Sequence, residues 1–155
     1  MRNVLICAAL LNLAAGPATI HEPERQPATE NPFVGSWTAD LSTSRLDPRM
    51  PLKGADLTIN VSGNVVTLTS AVLLPNGATQ KGTETLRADG TETAGTLTSG
   101  VVHVANWVGS HVLAFITRKG NQNIALITYE VSTDGQTLTA RTSGLIEQVV
   151  TFKRR

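Results

Sequence analysis

The feature that most constrains this chain is its punctuation. Turn-forming pairs recur at intervals of roughly ten to fifteen residues: Ser62-Gly63-Asn64, Asn76-Gly77, Asp89-Gly90, Gly109-Ser110, Gly120-Asn121, Asp134-Gly135 and Ser143-Gly144. Asn-Gly and Asp-Gly supply the positive φ that a tight hairpin turn needs. Between them lie short runs rich in Thr and Val, whose β-branched side chains suit a pleated surface better than a helix. After Phe33 no segment keeps a 3.6-residue apolar period. Strands are therefore expected over 33–41, 56–61, 64–73, 78–87, 91–98, 100–107, 111–118, 123–131, 136–142 and 146–153. The expected fold is all-β, an antiparallel up-and-down β-barrel of 8-10 strands, although the spacing alone suits a sandwich as well.

A length of 155 residues fits one domain. Charged residues make up 16% of the chain and the formal net charge is +1, which argues against a basic nucleic-acid binder, a coiled coil and a disordered chain.

The amino-terminal stretch has a different character. Met1-Arg2-Asn3 followed by the apolar run Val4 to Ala15 has the pattern of a secretory signal, and the run is too short to span a bilayer. Gly16 and Ala18 offer a cleavage site, so 1–18 is expected to be a signal peptide and the mature protein secreted or periplasmic, without an integral membrane span. The only cysteine, Cys7, lies inside that run after Ile6, so neither lipidation nor disulfides nor a thiolate site is expected after cleavage. Residues 19–32, with Pro23, Pro27 and Pro32 among polar neighbours, are expected to be an extended tether, leaving 33–155 as the barrel domain.

Alternation says which faces are buried. Leu57, Ile59 and Val61 alternate with Asp56, Thr58 and Asn60, and Phe33, Trp37, Ala39 and Leu41 alternate with Val34, Thr38 and Asp40. A tight turn fixes register. Asp134-Gly135 is expected to pair Val131 with Leu138 and Tyr129 with Ala140, and Asp89-Gly90 to set Arg87 opposite Glu92. A two-residue turn at Gly109-Ser110 sets His103 opposite Ile116, turning Val101, His103, Ala105 and Trp107 inward to face Val112, Ala114, Ile116 and Arg118. One at Gly120-Asn121 places Arg118 beside Asn123. The segment Val112 to Ile116 is apolar on both faces, and a homodimer through it is one expected way of covering the outer one.

The opening Asn31-Pro32-Phe33-Val34-Gly35-Ser36-Trp37, followed by hairpins to the C-terminus, resembles the calycins: lipocalins, fatty-acid-binding proteins and their bacterial secreted lipocalin-like relatives. The cue is Gly35-x-Trp37. The resemblance implies that Trp37 closes one end of a barrel holding a small, mostly apolar ligand. The chain departs from the family in three places. Val150 and Phe152 stand where fatty-acid-binding proteins usually carry an Arg-x-Tyr carboxylate clamp. Ser42 to Lys53 is too rich in breakers for the helix pair that lids such barrels, and the cysteine pairs of many lipocalins are missing.

The expected function is thus an exported lipocalin-like binder of a small hydrophobic molecule. The pocket is expected to have apolar walls, with His103, Trp107, Arg118, Tyr129, Gln148 and Trp37 as ligand-binding residues. Two other classes stay open: a protein-binding module such as a secreted protease inhibitor, or a structural envelope protein. No cofactor is expected. His103 and His111 fall about 17 Å apart along the ribbon, too far to share a metal. No nucleophile elbow or carboxylate pair is present, so an enzyme built in the cavity ranks third among the readings, with His103 as its one plausible acid or base.

Overall fold

The computed structural model describes residues 30–155. The expected signal peptide, 1–18, and nearly all of the expected tether lie outside the described residues. Ten strands follow one another: β1 (Gly35–Arg45), β2 (Gly54–Ser62), β3 (Val65–Leu73), β4 (Thr79–Arg87), β5 (Asp89–Ala94), β6 (Val101–Trp107), β7 (Val112–Lys119), β8 (Gln122–Val131), β9 (Thr137–Gly144) and β10 (Gln148–Arg154). All ten expected strands are present. Sequential strands pair antiparallel except β4 with β5, and β1 also pairs with β10 through Trp37↔Arg154 and Ala39↔Phe152. The sheet thereby curls into a nearly closed barrel rather than a sandwich. Its one unpaired seam lies between β4 and β5.

No helix occurs among the described residues; the segment between β1 and β2, with Pro48 and Pro51, is irregular. Asp47 anchors it. Its carboxylate accepts hydrogen bonds from the Arg49 side chain and backbone N–H and from the N–H of Glu147, in the loop between β9 and β10.

Register follows expectation in two hairpins and departs from it in two. Tyr129 faces Ala140 and Val131 faces Leu138, the expected pairs, although the loop has four residues: the Ser132 N–H donates to the Thr137 carbonyl and the Gly135 N–H to the Ser132 carbonyl. Arg118 stands beside Asn123 across Gly120-Asn121. The Gly109-Ser110 loop instead has three residues: the Val108 N–H donates to the Val112 carbonyl, and Trp107 pairs with Leu113. His103 therefore opposes Thr117, not Ile116. Leu113, Phe115 and Thr117 point inward, while Val112, Ala114, Ile116 and Arg118 form the outer, half-buried face. The shift has a physical reason, since it buries the larger Leu113 and Phe115 side chains and so removes more apolar area from water. Arg87 does not stand opposite Glu92 as expected. The start of β5 pairs with β6 at Asp89↔Asn106, so Arg87 binds Asp89 at 2.8 Å and Glu92 pairs with Arg118.

The packed core fills one end of the barrel, with Phe33, Trp37, Ile59, Val66, Leu86, Leu113 and Leu138 fully buried. Trp37 donates its indole N–H to the Phe33 carbonyl at 3.1 Å. The Arg154 guanidinium lies 4.2 Å from the Trp37 ring centroid and donates to the carbonyls of Pro32, Val34 and Gly135. Beyond that end the interior holds a cavity, walled in part by Leu57, Leu68 and Phe115 of the same core.

Candidate ligand-binding cavity

The inner faces of β2, β3, β4, β6, β7, β8 and β9 surround a cavity of about 340 Å³. Its walls are mainly Leu57, Leu68, Leu97, Val101, Phe115, Ile124 and Ile127, with Ser70, Thr98, Thr117, Thr142 and Tyr129 supplying hydroxyls. A second space of about 180 Å³ shares Leu57, Ser70, Tyr129 and Thr142 with it and reaches Ala140, Gln148, Val150 and Phe152. The space exists because several inward positions carry small side chains, notably Ser70, Ala140 and Thr142, where a packed barrel would carry larger apolar ones.

A buried polar cluster stands at one side. His103 Nδ1 lies 3.0 Å from the Thr117 hydroxyl, and His103 Nε2 lies 3.5 Å from a Glu84 carboxylate oxygen. Both side chains are buried, with residue exposures of 7% for His103 and 8% for Glu84. The carboxylate also accepts the backbone N–H groups of Thr96 at 2.9 Å and Leu97 at 3.3 Å. Glu84 thus ties β4 to the turn that follows β5, across the unpaired seam. That turn ends β5 at Ala94 and folds Leu97 against Gly82, leaving no room for a Cβ there. His103 is also held by an edge contact to Phe115 at 5.5 Å, and Phe115 stacks on Tyr129 at 6.1 Å. Burial pushes the Tyr129 phenol up to about 12, so it stays an uncharged hydroxyl across the physiological range.

The structure distributes the expected site residues over three places. His103 and Tyr129 line the cavity and Gln148 lines its extension. Trp37 is in the filled end, beneath Arg154. Trp107 lies at that end too, its ring 5.1 Å from Phe33, and borders an outer depression formed with Asn31, Pro32 and His111. Arg118 is on the outer face with Glu92. A bulge at Ile124 separates it from Tyr129: Arg118 pairs with Asn123 but Thr117 with Ala125, so the two ends of β8 present opposite parities to the interior. Glu84 is the residue that sequence reasoning passed over. Its signal was present, because Glu84 shares the inner parity of Leu86 and so places a carboxylate on an apolar stripe.

Chemically, the cluster orients rather than exposes the imidazole. Nδ1 meets Thr117, while Nε2 points toward Glu84 and lies where a Cβ on Gly95 would come within 3.1 Å.

No protein-family description matches the sequence, and no curated protein matches it. Solved structures do match. The fluorescent protein UnaG superposes with a TM-score of 0.59 at 18% identity, covering 79% of this chain and 97% of that one. Echinococcus granulosus fatty-acid-binding protein 1 gives 0.54 at 13% identity, covering 79% and 97%. Zebrafish ileal bile acid-binding protein complexed with cholic acid gives 0.53 at 15% identity, covering 80% and 99%. The ten strands, their order and the β1–β10 closure give this chain the calycin-type barrel fold of the fatty-acid-binding proteins.

Proposed function

We propose that the chain is an exported carrier or receptor that holds a small, mostly apolar molecule inside its barrel. The observation that carries this reading is the interior cavity, about 340 Å³ bounded by aliphatic and aromatic walls with a few polar groups, a size and composition typical of ligand sites. The structural neighbours support it: one is bound to cholic acid, and another, from Schistosoma mansoni, to arachidonic acid. Export rests on the basic start and apolar run of Met1 to Ala18. The homodimer through the outer face of Val112 to Ile116 belongs to the same proposal, and sedimentation over a range of concentrations tests it.

Native mass spectrometry of the protein after incubation with cell lipid extract tests the binding role. A retained mass of a few hundred daltons, lost on substitution of Ile127 by Trp, is the expected result. A barrel that stays empty in repeated incubations overturns it. For export, the intact mass of the protein from its native cells should begin at Thr19.

A further inference from the structure

We propose that the molecule held in the barrel carries an uncharged polar head, a hydroxyl, carbonyl or amide, and that the cavity rejects ionised acids. This inference rests on the cavity being a ligand site and specifies what that site selects.

The charges around the space carry it. Neither the cavity nor its extension is lined by any lysine or arginine. The last strand turns the apolar Val150 and Phe152 inward and presents no charge to the extension. Arg118 and Arg154, which come near the barrel wall, are committed to Glu92 and to three backbone carbonyls respectively. The acidic side chain at the cavity wall is Glu84, buried and fixed by two backbone N–H groups; Asp56, at the edge of the extension, is paired outward with Arg155. A bound carboxylate would leave water for a space with no ammonium or guanidinium to pair with and with an acid in its wall. An unpaired buried charge is strongly unfavourable.

A cation is disfavoured for a different reason. The Glu84 oxygens are already engaged by the amides of Thr96 and Leu97, and His103 stands beside them. What the walls offer freely is hydroxyl chemistry from Ser70, Thr98, Thr142 and Tyr129, each able to donate and accept. The extension adds an acceptor, the buried Gln148 Oε1, which has no donor among the described residues. A hydroxyl or amide head has a donor for such a group, and an ionised carboxylate has none.

The test is displacement of Nile red, an uncharged dye, from the delipidated protein at pH 8 by decanol, decanoate and decylamine. The expected result is decanol binding at least tenfold tighter than either ionised chain. In Glu84→Gln the decanol-to-decanoate ratio should shrink several-fold, and in Thr142→Lys, which adds an ammonium to the wall, it should shrink or invert. The second variant serves if the first does not fold. Decanoate or decylamine binding as tightly as decanol overturns the proposed selectivity while leaving the binding role intact. A ratio unchanged in both folded variants also overturns it, since wall charge would then not be its source. Failure of the dye and all three chains to bind overturns the binding role and this inference together.

Discussion

The Arg154 guanidinium sits 4.2 Å from the centroid of the Trp37 ring and donates at once to the carbonyls of Pro32, Val34 and Gly135. These contacts join the first strand, the last strand and the β8–β9 turn at the filled end of the barrel. Arg154→Ala removes a cation–π contact and leaves three carbonyls without their donor. A loss of about 2–4 kcal/mol is expected, read as a fall in the urea midpoint. Arg154→Lys should recover only part of it, because an ammonium on a flexible stem cannot reproduce the planar fork. Equal stability of wild type and Arg154→Ala would show that the closure does not depend on this residue.

Glu84 holds the turn between β5 and β6 by accepting the N–H groups of Thr96 and Leu97. Glu84→Ala should therefore speed hydrogen exchange at those two amides at least tenfold, since bonds to a charged acceptor contribute about 1.5–3 kcal/mol each. Amides of Leu138 and Phe152, in ladders far from the seam, should change little. Uniform acceleration throughout the barrel would instead mean that Glu84 supports the whole fold.

Two glycines with positive φ separate strain from crowding. Gly144 has φ +121 and a Cβ there would lie 2.5 Å from the Ile124 carbonyl oxygen at the β8 bulge, whereas Gly63 has φ +58 and open space around it. Gly63→Ala should cost about 1 kcal/mol, the ordinary left-handed penalty. Gly144→Ala adds a backbone collision and should cost about 2–3 kcal/mol more. Denaturation midpoints of the two variants under one set of conditions check the difference.

These positions also explain which parts of the fold were legible. Thr- and Val-rich runs between glycine turns located all ten strands, and the β8–β9 register came out as expected because the four-residue loop Thr133 to Gln136 is centred on the same point as a two-residue Asp134-Gly135 turn and so opposes the same residues. Gly109-Ser110 does not dictate loop length, and Val112 to Ile116 is apolar on both faces, so no pattern opposed a one-residue slip. That slip moved Arg118 from the expected pocket to the outer wall and brought Thr117 in to meet His103. Ser70 and Thr142 line the cavity yet look like any residue of a Thr-rich strand, and their role depends on what stands across the barrel from them.

Acid should loosen the loop around Asp47. Hydrogen bonds from the Arg49 side chain, then from the backbone N–H groups of Glu147 and Arg49, hold the Asp47 carboxyl well below the usual carboxylate range. A carboxyl depressed in the folded state contributes stability that is fully present above its unfolded value, near 4, and disappears as pH falls through the folded value. Asp40, Asp89 and Asp134 are lowered as well, so wild-type stability alone cannot isolate Asp47. Asp47→Asn does, because it cannot ionise but leaves the other three in place. The gap in urea midpoint between wild type and Asp47→Asn should be widest at pH 6 to 7 and narrow steadily below about pH 4. A gap of constant size from pH 7 to pH 2.5 would mean that the side chain acts through its shape and neutral hydrogen bonds rather than its charge.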